Sequence, residues 1–377
     1  MDGGSLGEAR GESIEMIAVV KVGTSSLTGG GSDLERTCFA RVAAQVARAW
    51  ETGWRVVVVS SGAIAAGLSV LGLARPIEVE TLQAAAAVGQ HRLMSYWYEE
   101  LARHGLRAGQ ILLAPLDFSV RDQYLHARQT LLRLIDLGVV PVVNENDAVA
   151  DDEIRFGDND RLAALVAHLL QADLLLLLTD TPGVLSADPR LETEGTLIEE
   201  VVDSDVRLVE AAGGPGSEAA SGGMVSKVAA ARMAAWSGVR TVIASAERSN
   251  VLEEAIRGEV GIGTTVLPRP RRLSARRLWI AFAVAPLGRI VIDDGARRAI
   301  TSMGRSLLHA GVMEVEGSFG AGDAVEVADR KGELVAKGLV RYGSDELASY
   351  RGRRSEELPE SVVPEAIHRD DLVILVD

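Results

Sequence analysis

RVVVVS at residues 55–60 and LLLLL at residues 174–178 are unbroken aliphatic runs of strand length. A strand with no polar alternation must be covered on both faces, which is the condition of a parallel sheet between two layers of helices. Working outward, Met16 to Val22 is a third apolar run, and Gln110 to Ala114, Val139 to Asn144 and Val239 to Ala244 read as further strands. Helical patterns fall between them at Thr81 to Arg103, Gln123 to Leu137, Arg161 to Gln171 and Met224 to Ser237. A further helix follows the Gly-rich loop Thr28 to Gly31. Ser32 and Glu35 form its capping box, Cys38, Val42, Val46 and Ala49 share one face, and Gly53 stops it. This β/α alternation requires right-handed crossovers and predicts a three-layer αβα sandwich, an α/β fold.

The alternation ends near Leu267. Pro268 to Arg277, PRPRRLSARR, holds two prolines, five arginines and no acid, and reads as an exposed linker. Beyond it, turn signals at Gly288-Arg289, Asp293-Asp294-Gly295, Gly317 to Gly322, Asp329 to Gly332 and Gly343-Ser344 separate short strands, predicting a small, mostly β domain over 278–377. The 377 residues suit two domains, here 16–267 and 278–377 joined by 268–277, with 1–15 a flexible tail.

Composition narrows the function. The 39 Lys and Arg against 53 Asp and Glu give a net charge of −14, a surface that repels nucleic acid and anionic membranes. Cys38 is the sole cysteine, which excludes an intramolecular disulfide and a thiolate-rich zinc site and fits a reducing compartment. His91, His104, His126, His168, His309 and His368 are scattered with no metal-ligand spacing. The N-terminus carries no basic-then-apolar signal and no run approaches the ~20 apolar residues that span a bilayer, so a cytoplasmic protein is expected.

Only four lysines occur, and Lys21 and Lys227 are the two before the linker. Each stands beside glycines at an element end, where a compact ammonium fits next to a transferring phosphoryl group better than a guanidinium fork. Gly23-Thr24-Ser25-Ser26, Ser60-Ser61-Gly62-Ala63 and Ser221-Gly222-Gly223-Met224 are Gly-rich turns able to present backbone N–H groups to anionic oxygens. None has the Walker A or dinucleotide-binding spacing, which disfavours a P-loop NTPase and a Rossmann dehydrogenase. NENDAVADDEIRFGDND, Asn144 to Asp160, follows a buried strand at the sheet edge where α/β folds bind ligands. Its amide and carboxylate pairs suit an amino-acid ammonium or a hydrated Mg²⁺. Thr179-Asp180 ends the leucine strand in the same way.

VVKVGTSSLTGG (19–30), SSGAIAAG (60–67), NENDAVA (144–150), FGDND (156–160), LLLTDTPGVLSADP (176–189) and SGGMVSK (221–227) resemble, in order, the motifs of the glutamate 5-kinases. That family joins an amino-acid-kinase domain to a PUA domain, and the likeness runs from Ile17 to the C-terminus. Aspartate, acetylglutamate, uridylate and carbamate kinases share the fold, but NENDAVA, GDND and a PUA-like tail together point to the glutamate enzyme. The resemblance implies transfer of the ATP γ-phosphoryl group to the side-chain carboxylate of L-glutamate, the first step of proline biosynthesis. It implies catalytic roles for Lys21, Lys227 and Asp160, and glutamate contacts at Ser61, Gly62, Ala63, Asp147, Asp158 and Asn159. The nucleotide would meet Lys21, Gly23, Thr179, Asp180, Ser221, Gly222, Gly223, Met224, Val225, Ser226 and Lys227. Mg²⁺ would arrive with ATP, with no protein ligand assigned to it. L-proline is implied as an inhibitor and a homo-oligomer, dimer or tetramer, as the assembly. Ser60, Ser221 and Ser226 stand where the family often has Thr, and each keeps the hydroxyl.

PUA domains are also RNA-binding modules, which offers a rival role for the tail. Residues 278–377 hold 12 Lys or Arg against 17 Asp or Glu, the wrong sign for an RNA surface, so a regulatory or assembly role is expected instead.

Overall fold

Strand β1 (Ile17–Val22) is buried along its whole length and lies parallel to two neighbours. These are β2 (Arg55–Ser60), with Lys21 opposite Val59, and β5 (Leu174–Thr179), with Lys21 opposite Leu177. A computed structural model of the chain describes residues 16–74, 78–118, 120–149, 159–186, 195–202, 223–270 and 273–376. The expected tail 1–15 and site residues Asp158, Ser221 and Gly222 lie outside the described residues. With β3 (Arg107–Leu113), β4 (Val139–Glu145), β6 (Glu200–Val201), β7 (Arg240–Ser245) and β8 (Thr264–Val266), the sheet runs β3-β4-β2-β1-β5-β7-β8-β6. All its pairs are parallel except β7 with β8. After β1 the chain turns to the β2 side and after β5 to the β7 side, so the order reverses between these two strands, the place where open α/β sheets form a ligand crevice.

Period-2 alternation sorts the side chains. Ala18, Val20, Val22, Val56, Val58, Leu174, Leu176 and Leu178 enter one core with α2 (Arg36–Glu51), α4 (Val79–Ala102) and α8 (Val251–Arg257). On the opposite face α6 (Asn159–Leu170) packs on β1, β2, β4 and β5, and α7 (Gly223–Trp236) packs on α6 and on β5, β7 and β8. Lys21 belongs to that second face, so it points toward the helices that carry Asp160 and Lys227.

Helix α1 (Thr24–Thr28) follows β1 and α3 (Ala63–Leu71) follows β2, two short helices that the reading for strands and long helices passed over. Helix α3 crosses α4 with almost no space. A Cβ built on Gly89 would lie 1.9 Å from the Ala63 carbonyl oxygen, and one on Gly67 would lie 1.8 Å from that of Ala85. The capping box is a correction: α2 begins at Arg36, its N-cap Glu35 makes no side-chain cap, and Glu35 instead accepts from the Thr37 hydroxyl at 2.7 Å. Ser32 is left in the preceding loop because Asp33 forms a two-pronged pair with Arg92 (2.8 and 2.9 Å) and Leu34 is buried.

The chain divides into two compact units, Met1–Ala114 with Leu125–Arg269, and Pro115–Tyr124 with Pro270–Asp377. In the second, a sheet of order β11-β9-β12-β13-β15 contains β9 (Gly288–Ile292), β11 (Val312–Gly317), β12 (Ala324–Ala328), β13 (Leu334–Leu339) and β15 (Leu372–Ile374). Strands β10 (Leu307–Leu308) and β14 (Glu365–Ile367) pair separately, and a core around Ile290, Ile292, Val325, Val327 and Val335 closes this unit. Asp293-Asp294-Gly295, expected as a turn, is a helix start: Asp293 accepts from the Ala296 N–H at 2.7 Å and caps Asp294–Met303. Arg269 lies 4.1 Å over the Trp236 ring in the first unit, and Arg276 pairs with Asp371 at 2.7 Å in the second.

The glycine crossing makes a stability prediction. Gly89→Ala should force α3 from α4 and cost about 1–3 kcal/mol, the usual range for overpacking. Urea denaturation of the variant at the wild-type midpoint would reveal it, and unchanged stability would mean that the crossing is not tight.

Candidate active site

Three charged side chains meet at the β1–β5 crevice. Lys21 Nζ lies 2.8 Å from Asp160 Oδ1 and Lys227 Nζ lies 3.1 Å from Asp160 Oδ2. All three are buried, with 5, 2 and 7% of Lys21, Asp160 and Lys227 exposed. Asp160 is in the first turn of α6, and Lys227 is one turn into α7, where its ammonium also donates to the Gly223 carbonyl at 3.1 Å. Ser226 donates to Asp160 Oδ2 at 2.8 Å. Burial alone would raise the Asp160 carboxyl, but the two ammonium groups and the hydrogen bonds outweigh it and hold it below the ordinary carboxylate range. Among the described residues the cluster is thus two buried ammonium groups sharing one carboxylate.

Glycine leaves room around those cations. A Cβ on Gly23 would lie 3.5 Å from Lys21 Nζ, and one on Gly223 would lie 3.3 Å from Lys227 Nζ. Bare backbone beside each ammonium is space for an anionic group to approach.

Beside the cluster opens a cavity of about 720 Å³ lined by Ser61, Gly62, Ala63, Asn144, Asp147 and Asn159, with Gly31, Ser32, Leu68 and Ser69 among its other walls. Gly62 adopts φ 100°, a left-handed turn that starts α3 directly after β2. Asn159, next to Asp160, donates from Nδ2 to Ser61 Oγ (3.0 Å) and to Asn144 Oδ1 (3.2 Å). Its own Oδ1 is buried with no partner among the described residues, an acceptor left open. Asp147 is half-buried, and desolvation pushes its carboxyl up to about 6. The cavity wall thus carries the Asp147 carboxylate and the Asn144, Asn159 and Ser61 side chains, and Asn159 is the chain neighbour of Asp160 in the charged cluster.

The sequence-expected residues fall into place unevenly. Lys21, Asp160, Ser226 and Lys227 form one cluster, and Ser61, Gly62, Ala63, Asp147 and Asn159 line the cavity. Thr179 is buried at the end of β5 and donates to exposed Asp180 at 3.1 Å, while Gly223, Met224 and Val225 form the first turn of α7. Asn144 was read only as part of its loop, yet it joins Asn159 to Gln90 on α4, and the Arg92–Asp33 pair ties the cavity's Ser32 loop to α4. Gln90 carries no mark in the sequence: one polar residue in an alanine-rich helix looks like any solvated position.

Residues 16–245 match the amino acid kinase family, and residues 288–362 match the PUA domain. The chain belongs to the amino acid kinase family. Within it the chain is similar to the glutamate 5-kinase of Cupriavidus taiwanensis, at 47% identity over 95% of this chain and 97% of that protein. Those of Paraburkholderia phymatum and Burkholderia mallei are 46% identical over the same shares. Among solved structures, a carbamate kinase from Giardia lamblia bound to AMP-PNP aligns over 68% of this chain and 99% of that chain, with 18% identity and a TM-score of 0.49. The chain is a kinase with an α/β catalytic-type domain and a C-terminal PUA domain. No helix among the described residues is long and apolar enough to cross a membrane.

The clamp makes its own prediction. Asp160→Asn removes the carboxylate that both buried ammonium groups share and should cost about 3–5 kcal/mol at pH 7. Because the folded carboxyl titrates below its unfolded value near 3.9, that stabilisation is complete above the unfolded value and is lost as pH falls through the folded one. Urea denaturation of wild type and variant from pH 7 to pH 3 should show a gap that narrows only in acid. Equal stability at pH 7 would refute the clamp.

Proposed function

We propose that the chain transfers the γ-phosphoryl group of ATP to the side-chain carboxylate of L-glutamate, giving L-glutamyl 5-phosphate for proline biosynthesis. The observation that carries the reading is the pairing of Lys21 and Lys227 on the one carboxylate of Asp160, beside a cavity lined by Ser61, Asn144, Asp147 and Asn159. The relatives' name agrees with it.

Glutamate's side-chain carboxylate is ionised at neutral pH, so the attacking oxygen needs no general base. That oxygen bonds to the γ-phosphorus as the bond from phosphorus to the β–γ bridging oxygen breaks, and ADP leaves. What the protein must supply is position and positive charge around the transferring group. Lys21 and Lys227 supply the charge, and Asp160 keeps their two ammonium groups apart and in register. Glutamate at neutral pH has one hydrogen-bond donor, its α-ammonium, so the open Asn159 Oδ1 and the Asp147 carboxylate suit that group. Ser61, with the backbone of Gly62 and Ala63, and Asp158 by its motif, complete the glutamate contacts.

The nucleotide is assigned to Gly23, Thr179, Asp180 and the stretch Ser221, Gly222, Gly223, Met224, Val225, Ser226 and Lys227. Among the described residues no three acidic, histidine or cysteine side chains gather into a metal cage. Mg²⁺ would fit as the ATP complex, held by phosphate oxygens and water, and would neutralise phosphate charge there. L-proline, also an α-amino acid with a cationic nitrogen, suits the same acceptors and would compete with glutamate. Residues 16–267 would carry the chemistry, 268–277 would link, and the PUA-like 278–377 would serve regulation or assembly of a homo-oligomer.

The test is to incubate the purified protein with ATP, Mg²⁺ and glutamate, N-acetylglutamate, aspartate or UMP, following ADP release with hydroxylamine present to trap acyl phosphate. Glutamate alone should yield hydroxamate, and activity confined to another acceptor would overturn the reading. In the same assay KM for glutamate should rise as pH falls below about 6, because protonation removes the Asp147 charge that attracts the ammonium. Asp147→Asn should have a high KM at every pH from 5.5 to 7.5. A wild-type KM that is flat over this range would separate Asp147 from the ammonium.

A further inference from the structure

Asn159 can serve a substrate only if its side chain is held in place at the cavity wall. Its Nδ2 gives its hydrogens to Ser61 Oγ at 3.0 Å and to Asn144 Oδ1 at 3.2 Å. Asn144, fully buried at the end of β4, in turn donates from Nδ2 to Gln90 Oε1 at 2.8 Å. The three amides form a relay of one polarity: Asn159 donates to Asn144, which donates to Gln90. Turning Asn159 alone would set its oxygen against the Asn144 oxygen, whereas turning all three amides would restore the relay with reversed polarity, so the relay fixes where the Asn159 side chain sits rather than which way round it is. The Ser61 hydroxyl can donate or accept, so it does not choose between the two polarities.

We propose that Gln90 is a positioning residue for the amino-acid substrate: as the terminal partner of the relay it holds Asn144, and through it the Asn159 side chain, in place at the cavity wall. This rests on the glutamate reading above. Two features besides the hydrogen bonds support it. Gln90 follows Gly89, whose contact with Ala63 and Gly67 of α3 fixes the α4 backbone at this point. Gln90 makes one side-chain hydrogen bond among the described residues, so its bond to Asn144 is what the side chain contributes. Gln90 sits behind the cavity wall, and its effect on substrate passes through Asn144 and Asn159.

The experiment is a double-mutant cycle read in steady-state kinetics, with Gln90→Leu, Asn159→Ala and the double variant of the full chain. Gln90→Leu should raise KM for glutamate by about five- to tenfold, the equivalent of one hydrogen bond, while KM for ATP stays within twofold and kcat changes less than KM. In the Asn159→Ala background the same substitution should change KM for glutamate by less than about twofold, because the side chain it positions is gone. Gln90→Met, which keeps the side-chain length, carries the same expectation should the leucine variant fold poorly. An unchanged KM for glutamate, an equal shift for ATP, or a full effect persisting without the Asn159 side chain would overturn the assignment. Wild-type protein that makes no hydroxamate from glutamate would instead refute the functional reading, so the two failures are distinct.

Discussion

One carboxylate shared by two ammonium groups organises this molecule. Asp160 is almost wholly out of water, and taking a single charge there would be costly without partners. Two lysines share it, which fixes both ammonium groups together at the crevice where strand order reverses. Such preorganised charge stabilises a phosphoryl group in transit without reorganisation at the moment of reaction.

Everything that places the three groups is ordinary α/β construction. Lys21 reaches the α6 face because alternate residues of β1 do, and its neighbours Val20 and Val22 enter the opposite core. Asp160 opens α6, which packs on β1, and Lys227 is on α7, which packs on α6. The amino-acid end of the site depends on a second local constraint, the crossing of α3 and α4 at Gly67 and Gly89, which leaves no space for a methyl group. That crossing sets the Ser61–Ala63 turn against α4, from which Gln90 and Trp97 reach back: Gln90 accepts from Asn144, and Trp97 donates to Ser60 at 2.9 Å.

The layers, most strands and long helices, and the lysine pair were legible because they depend on local signals: unbroken aliphatic runs, period, and lysine scarcity. The capping box at Ser32 and Glu35 failed because a long-range pair, Arg92 with Asp33, competes for the same loop. The Asp293 turn failed for the opposite reason, since one acidic side chain serves a turn or a helix cap equally well until the following residues commit. Gln90 was invisible, because its meaning lies in a partner 54 residues away. Local grammar recovers the scaffold and the charged centre, whereas the orientation of neutral side chains behind the site is a tertiary property.

The most direct test of the shared-carboxylate account is a crystal structure of the protein with Mg²⁺, ADP, aluminium fluoride and glutamate. Both Lys21 Nζ and Lys227 Nζ should lie within hydrogen-bonding distance, about 3 Å, of the planar fluoride group, with Asp160 still bridging them. A fluoride group contacted by only one lysine, or held away from Asp160 altogether, would contradict the account.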